Sequence, residues 1–138
     1  RSMRTGIVNY YLNRYSYSYF GQVVSIPLGS TYANLEMYLY SSSSEPTSLL
    51  LANRPTAEEF GEVAMAGDVQ YLLILDYWGN WIDTLLWQRV NDGYWTYASF
   101  NLQKYAGSTI KLQWGTYNDG WGGFTSMFVD DVSLITCK

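Results

Sequence analysis

Histidine is absent from this chain of 138 residues, and cysteine occurs once, at Cys137. Without histidine, neither a Ser-His-Asp triad nor a histidine-containing zinc site can form, and one cysteine excludes an internal disulfide. Lysine and arginine form no cluster and the net charge is -4, so the basic surface of a nucleic-acid-binding protein is missing. No run approaches the ~18 apolar residues that span a bilayer, and no signal-peptide pattern opens the chain. We therefore expect a mature or excised protein with no nucleic-acid partner and no membrane insertion.

Aromatic side chains are abundant instead. They make up 18% of the residues, with 14 Tyr and 6 Trp, whereas proline occurs only 3 times. Wide rings pack well on pleated, half-buried surfaces, which favours strands over helices. The length suits one domain with a substantial core and is too short for two. These features predict a single all-β domain over residues 1–138.

Alternation of apolar and polar residues predicts about eight strands. The predicted strands are residues 2–11, 20–28, 33–40, 67–77, 82–90, 95–102, 109–117 and 128–134. Residues 13–19, rich in Tyr, Ser and Asn, are predicted to form a loop. Residues 41–66 begin with four consecutive serines and indicate a long surface excursion that could include a helical turn at residues 57–61.

The inward-facing positions of these strands predict the hydrophobic core. Its predicted members are Val23, Ile26, Leu35, Leu39, Leu73, Leu75, Leu86, Phe100, Leu102, Ile110, Leu112, Phe128, Val132 and Leu134. Trp87, Trp95 and Trp114 also lie inside strand patterns and are predicted to be core or sheet-face residues.

Three motifs in the last third of the chain stand in a recognisable order. They are W-x4-F-x-L-x2-Y-A-G-x-T-I-x-L from Trp95, Y-N-D-G at residues 117–120 and F-V-D-D-V-S-L at residues 128–134. Together they resemble the MAM-like and galactose-binding-like modules of extracellular prokaryotic surface proteins and secreted enzymes. The resemblance is strong over residues 94–137 and looser over residues 23–77. It implies an antiparallel two-sheet jelly-roll β-sandwich located outside the cell or at the cell surface.

The resemblance also implies a structural calcium ion. The terminal aspartate of many galactose-binding-like modules is a calcium ligand, and this role falls on Asp130 or Asp131. Calcium takes about six to eight oxygen ligands from carboxylates and carbonyls. Two alternatives stay open: the pair accepts hydrogen bonds from a neighbouring loop without a metal, or it forms a salt bridge with Arg14.

Cys137 follows the F-V-D-D-V-S-L motif. In MAM-like relatives a cysteine at this place pairs with one near the start of the domain, and that partner is missing here. Cys137 is therefore a free or intermolecular thiol, a plain tail residue, or the remaining half of a pair whose N-terminal segment has been removed.

Catalysis by paired carboxylates finds little support. A glycosidase needs two carboxyl groups on either side of one bond, whereas Asp130 and Asp131, as neighbours on a strand, point to opposite faces. Asp76 and Asp83 flank a predicted turn, where acidic residues commonly have a structural role. We expect a protein that is not an enzyme.

Exposed tryptophans at loop tips predict a ligand site instead. Sugar rings present apolar faces that stack on aromatic rings, while neighbouring polar side chains bind the hydroxyls. Trp81 and Trp121 lie in predicted loops, together with the polar residues Asn80, Asn118 and Asp119. These five residues predict a carbohydrate-binding or cell-surface attachment site, with a glycan or cell-surface polymer as the partner.

The tyrosine-rich N-terminal segment supports a second hypothesis. Tyr15, Tyr17 and Tyr19 lie in a stretch that is poor in charge. Such a stretch could pair with a neighbouring subunit by strand addition. The alternative function is therefore a self-assembling structural or adhesive subunit, a homo-oligomer or filament.

Overall fold

The computed structural model describes residues 2–46, 48–49 and 67–138, with the side chains of residues 48 and 49 left out. The strands are β1 Met3–Gly6, β2 Tyr15–Ser25, β3 Tyr32–Ser43, β4 Ser48–Leu49, β5 Val69–Leu75, β6 Trp81–Arg89, β7 Trp95–Asn101, β8 Thr109–Asp119 and β9 Thr125–Cys137. Short 3-10 helices cover Tyr10–Leu12 and Gln103–Tyr105. Within the described residues, no helix is long and apolar enough to cross a membrane.

The strands form two antiparallel sheets. One sheet has the order β1-β9-β3-β7, and the other has the order β2-β8-β5-β6-β4. The chain enters the first sheet with β1, crosses to the second with β2 and returns with β3, and its last two strands, β8 and β9, again lie in different sheets. This is the connectivity of a jelly roll, so the predicted fold class is confirmed.

The core lies between the sheets because every second residue of each strand faces inward. On β3 the odd-numbered residues, from Ala33 to Ser43, are buried, while the even-numbered residues are half-buried or exposed. Most of the predicted core is confirmed: Ile26, Leu35, Leu39, Leu86, Leu102, Ile110 and Leu112 are buried in this cluster, and Phe100 and Leu134 pack against it. Leu73 and Leu75 are also buried, in a second cluster that contains Trp87.

Three predicted core residues do not lie in the core: Val23 and Val132 are exposed, and Phe128 lies on the outer face of its sheet, so these predictions were wrong. On β2 the inward positions are even-numbered, since Phe20 and Val24 pack against the core; Val23 therefore faces outward. Val132 lies at an irregularity of β9 that changes which residues face inward. Phe128 is half-buried and faces outward from its sheet.

The predicted loop at residues 13–19 was also wrong, because β2 begins at Tyr15 and pairs with β8 along its whole length. The overlooked signal is the strict alternation of Tyr and Ser over residues 15–19. The predicted excursion at residues 41–66 begins later than expected, since β3 continues to Ser43. The helical turn at residues 57–61 lies outside the described residues.

Candidate functional site

The strand order places the two predicted tryptophan loops at opposite ends of the sandwich. β5 and β8 are antiparallel neighbours, so the chain leaves the sheet in opposite directions at their ends. Asn80 and Trp81 follow β5, whereas Asn118 and Asp119 end β8 and Trp121 follows it. The seven residues of β5 separate the two ends by about 23 Å at ~3.3 Å per residue. The structure therefore does not bring the five residues into one site.

Trp81 is a packing residue of its sheet. Its Nε1 donates hydrogen bonds to the Asp83 carbonyl at 2.9 Å and to Thr84 Oγ1 at 3.1 Å. Its ring stacks on Trp87, with the centroids 6.1 Å apart and the planes inclined by 24°. The exposed rings of this turn belong to Trp78, which is 82% exposed, and to Tyr77, which is 67% exposed.

The polar groups near Trp78 are occupied within the turn or beside it. Asn80 donates from Nδ2 to Asp76 Oδ2 at 2.9 Å and from its backbone amide to Asp76 Oδ1 at 2.8 Å. The side-chain bond is the main cause of the lowered pKa of Asp76. Asp83 accepts the Tyr105 hydroxyl at 2.7 Å and lies 2.8 Å from Lys104 Nζ. Burial alone would raise the pKa of Asp83, but these bonds outweigh it and hold the pKa low. Both acids therefore have the structural role expected of them.

At the opposite end, Trp121 and the first 3-10 helix enclose a groove of about 430 Å³. We call it the Trp121 groove; its lining is Tyr10, Tyr11, Asn13, Gly120, Trp121 and Gly122. Trp121 is 81% exposed, Tyr11 is 92% exposed and Tyr10 is 65% exposed. Sequence reasoning missed both tyrosines. The sequence signal for their short helix was Asn9, which caps it by accepting the Tyr11 amide at 3.0 Å.

The groove is held by short polar contacts between its two walls. Asn13 Nδ2 donates to the Gly123 carbonyl at 2.9 Å. Gly120 has a φ of +84°, and a Cβ there would lie 2.6 Å from the Tyr15 amide nitrogen, so only glycine fits. Asn13 Oδ1 is buried and accepts no hydrogen bond from a described residue. A buried acceptor left unpaired costs about 1–3 kcal/mol, and because this oxygen is buried it does not itself face the groove.

Asn118 is unsuited to bind a ligand. It is fully buried, its Oδ1 accepts the Thr125 amide at 2.8 Å and its Nδ2 donates to the Thr125 carbonyl at 3.1 Å. These two bonds join the end of β8 to the start of β9. Asn118 therefore fixes the base of the 119–124 turn, which carries Trp121.

Asp119 belongs to an acidic cluster beside the groove. Its carboxylate and those of Glu45 and Asp68 have ligand oxygens within 4.8 Å of one another. Arg89 partly compensates this charge, with Nη1 3.4 Å from Glu45 Oε2. Three carboxylates this close together can share a proton. They could also supply three oxygen ligands to calcium, which takes about six to eight.

Asp68 is the fully buried member of this cluster. Burial is the largest influence on it and raises its pKa to about 6. Two hydrogen bonds oppose that effect: the Asp119 amide donates to Oδ1 at 2.9 Å, and Thr125 Oγ1 donates to Oδ2 at 2.7 Å. The negative charges of Glu45 and Asp119 raise the pKa further. Because Asp68 is buried, it cannot contact a substrate in the groove.

Asp130 and Asp131, the predicted calcium ligands, lie at a β-bulge. Tyr38 pairs with Asp130 but Glu36 pairs with Ser133, so β9 has one more residue than β3 across this interval. Asp131 has a φ of +50°, and its amide donates to Asp130 Oδ1 at 2.8 Å. The pair is not part of the acidic cluster, and the described ion pairs do not join it to Arg14. Its binding of calcium stays a prediction.

The predicted subunit-contact residues lie on the outer face of β2. Tyr15, Tyr17 and Tyr19 point outward together and are 57%, 38% and 61% exposed. β2 is the edge of its sheet among the described strands. The segment is therefore an integral strand of its own sandwich, with an exposed row of rings at its edge. Cys137, at the end of β9, is free and exposed.

Comparison with protein-family models and with curated proteins finds no match. Among solved structures, the chain is similar to TmCBM61, a carbohydrate-binding module solved in complex with β-1,4-galactotriose. The TM-score is 0.56 at 14% sequence identity, over 98% of this chain and 70% of that chain. At this identity the likeness concerns the fold, and it agrees with the two-sheet β-sandwich described above.

Proposed function

We propose that this protein is a non-catalytic carbohydrate-binding module whose ligand occupies the Trp121 groove. The observation that carries the proposal is the exposed Trp121 ring facing a groove whose other wall holds two exposed tyrosines. Several exposed rings that line one groove form a contiguous apolar surface, and such surfaces commonly mark contact sites. A flat ring beside an amide group is the combination that recognises the apolar face and the hydroxyls of a sugar.

Each lining residue has a distinct role in this proposal. Trp121 stacks on the apolar face of a sugar ring, and Tyr10 and Tyr11 add ring edges and phenol hydroxyls. Asn13 lines the groove beside the rings and fixes its wall through the hydrogen bond from Nδ2 to the Gly123 carbonyl. Each stacked ring contributes about 0.5–1.5 kcal/mol beyond burial. The affinity of one site is therefore weak, and several copies or a tethered partner domain would strengthen attachment.

The charge and the fold of the protein restrict the class of glycan that we expect to bind. The net charge of -4 and the acidic cluster beside the groove disfavour polyanionic glycans. The structural neighbour TmCBM61 was solved with β-1,4-galactotriose, which makes this trisaccharide the first probe. An extracellular or cell-surface location belongs to the same proposal, since polymeric glycans are reached there.

Calorimetric titration with β-1,4-galactotriose and a panel of neutral oligosaccharides tests the proposal. Trp121→Ala should weaken binding at least about fivefold, because it removes the main stacking surface. Trp78→Ala is the matched control, since it removes an equally exposed ring at the other end and should leave the affinity unchanged. A parent protein that binds no member of the panel, or equal affinities for the parent and Trp121→Ala, would contradict the proposal.

Self-assembly is the second candidate function, and the exposed tyrosine row of β2 favours it. An edge strand offers unpaired backbone groups to a second chain, and exposed rings add contact area. A homo-oligomer built this way would be a structural or adhesive subunit.

A further inference from the structure

The outer face of the β1-β9-β3-β7 sheet carries a second set of aromatic rings. Adjacent strands of this sheet are in register, so the side chains form rows across it. In one row Tyr40 of β3 lies between Trp95 of β7 and Phe128 of β9. In the next row Tyr38 lies beside Tyr97. We call these five residues the sheet-face aromatic patch; none of them lines the Trp121 groove.

The rings of the patch are accessible and do not share one plane. Trp95, Tyr97 and Tyr38 are 44%, 53% and 43% exposed. Tyr40 lies 5.8 Å from Trp95 at 64° and 5.9 Å from Phe128 at 87°, measured between ring centroids and planes. Tyr38 and Tyr97 are also steeply inclined, at 65°. A flat crystalline surface cannot contact rings inclined in this way, whereas a single flexible chain can follow them.

Polar side chains continue the patch along the same face. Glu36 lies opposite Ser99 in the next row. Asn34 Nδ2 donates to Glu36 Oε1 at 3.1 Å and to Ser99 Oγ at 2.8 Å. Asp130 follows Phe128 on β9 and lies opposite Tyr38. Hydroxyl, amide and carboxylate groups thus stand one row away from the rings.

The composition of this face distinguishes between possible occupants. The outward positions of β3 from 34 to 40 and of β7 from 95 to 101 hold no aliphatic side chain; they are Asn34, Glu36, Tyr38, Tyr40, Trp95, Tyr97, Ser99 and Asn101. On β9 the aliphatic Ile135, 43% exposed, lies opposite Asn34, two rows from Tyr38. Aromatic rings are also common in interfaces between copies of a chain, but polar and acidic side chains such as Ser99 and Glu36 are depleted there. Rings with adjacent hydrogen-bonding groups instead match a sugar polymer. Arg4 of β1 lies opposite Phe128 at the end of the first row, but the carboxylates of Glu36, Asp130 and Asp131 outnumber this positive charge and disfavour an anionic polymer.

We propose that the sheet-face aromatic patch binds a single chain of a soluble, uncharged polysaccharide, as a second site that does not depend on the Trp121 groove. The row from Trp95 through Tyr40 to Phe128 crosses three strands, about 10 Å at ~4.8 Å per strand. This length suits a ligand of more than one sugar unit. The patch therefore prefers polymers, and it increases attachment to a polymer through multivalency with the groove.

Affinity electrophoresis in gels containing β-1,4-galactan, xylan or mixed-linkage β-glucan tests this inference. The double variant W95A/Y97A should lose at least about tenfold in affinity for a polymer that the parent binds, since two stacking rings are removed. The same variant should bind a short oligosaccharide in the groove as the parent does. Trp78→Ala is again the control and should migrate as the parent. Polygalacturonate, an anionic polymer, should not retard the parent.

The outcomes separate this inference from the proposed function. Loss of oligosaccharide binding in Trp121→Ala together with unchanged polymer binding in W95A/Y97A would overturn the sheet-face site and leave the groove. Absence of polymer binding by the parent, or retardation by polygalacturonate equal to that by galactan, would also overturn it. A parent dimer in light scattering that W95A/Y97A dissociates would show a self-contact instead. If W95A/Y97A does not fold, Trp95→Gln replaces it, with an expected loss of at least about fivefold.

Discussion

The backbone amide of Trp121 donates a hydrogen bond of 2.8 Å to Oδ1 of Asp119. Asp119 is itself fixed, because its own amide donates to Oδ1 of the buried Asp68 at 2.9 Å. A chain of two hydrogen bonds thus connects a buried carboxylate to the exposed ring of the groove. In the sequence Asp119 was predicted to bind a sugar hydroxyl; in this arrangement it also positions Trp121.

Removal of the Asp119 acceptor should weaken ligand binding without removing the ring. Asp119→Ala frees the Trp121 amide, and loss of one hydrogen bond worth about 0.5–1.5 kcal/mol predicts an affinity lower by about twofold to tenfold. Asp119→Asn keeps an oxygen acceptor and should bind as the parent does. Calorimetry measures both affinities, and tryptophan fluorescence anisotropy reports the mobility of the ring. Equal weakening in the two variants would assign Asp119 to direct ligand contact through its charge.

The raised pKa of Asp68 predicts an unusual pH dependence of stability. In the folded protein Asp68 has a pKa of about 6, so it keeps its proton until the pH reaches that value. In the unfolded chain it has the ordinary pKa of 3.8 and releases the proton at lower pH. The resulting stabilisation is complete below pH 3.8 and is lost as the pH rises towards 6. The loss amounts to about 2–3 kcal/mol at 1.36 kcal/mol per pKa unit.

Asp68→Asn isolates this contribution. The lowered pKa values of Asp76 and Asp83 act in the opposite direction, but both proteins share them, so they cancel in the difference. Between pH 4 and pH 6.5 the free energy of unfolding of the parent should fall relative to that of the variant. Urea unfolding at closely spaced pH values measures it, and parallel curves for the two proteins would contradict the prediction.

The calcium prediction is tested by thermal unfolding in calcium and in chelator. A ligand that binds only the folded state stabilises it by about 2.7 kcal/mol at a hundredfold excess over Kd. If the ion binds at the bulge, Asp130→Asn and Asp131→Asn should abolish the rise in Tm, while Asp68→Asn should retain it. Asparagine tolerates the positive φ of position 131, so that variant is well matched. If Asp68→Asn abolishes the rise in Tm and the two bulge variants retain it, the ion binds at the acidic cluster. A Tm of the parent that calcium does not change would favour hydrogen bonding without a metal.

A side chain between the two sheets and a side chain on the outer face of the first sheet predict different costs of truncation. Leu112 is 1% exposed in the core, so Leu112→Ala should reduce the free energy of unfolding by about 2–5 kcal/mol. Phe128 is half-buried on the outer face, and Phe128→Ala should cost less than that range. Denaturant unfolding gives both values. An equal loss would show that the outer face is as well packed as the core.

Self-assembly through β2 predicts a concentration-dependent mass. Size-exclusion chromatography with light scattering should then show species above the 15.8 kDa of one chain. Tyr19→Lys places a charge in the exposed tyrosine row and should restore the single-chain mass, whereas Tyr94→Lys, at an exposed tyrosine outside β2, should not. A single-chain mass at every concentration would exclude this alternative.

Sequence patterns predicted the fold well where alternation of apolar and polar residues was strong. Leu35, Leu39, Ile110 and Leu112 were placed correctly because the inward positions around them, residues 33–39 of β3 and 110–114 of β8, are all apolar. The pattern failed at residues 15–19, where tyrosine and serine alternate: tyrosine is exposed on the outer face there, so polarity did not indicate which face was buried.

The candidate site was predicted only in part, because it depends on contacts between distant residues. Trp121 was identified from its turn motif, but the groove also needs Tyr10 and Tyr11, more than 100 positions earlier. Trp81 and Trp78 lie in the same turn, and only the hydrogen bonds of the Trp81 indole show which ring is packed. Prediction of the sheet-face aromatic patch requires the register of β3 with β7 and β9, which a single sequence does not specify.

The bulge at Asp131 also limits how β9 can be aligned. Before it the odd-numbered Met127 and Val129 are buried, and after it the even-numbered Leu134 packs against the core. A shift of β9 by one residue would turn either the first part or the second part of the strand inside out. Only one alignment with β3 buries both parts, so the longest of the described strands resists slippage of its register.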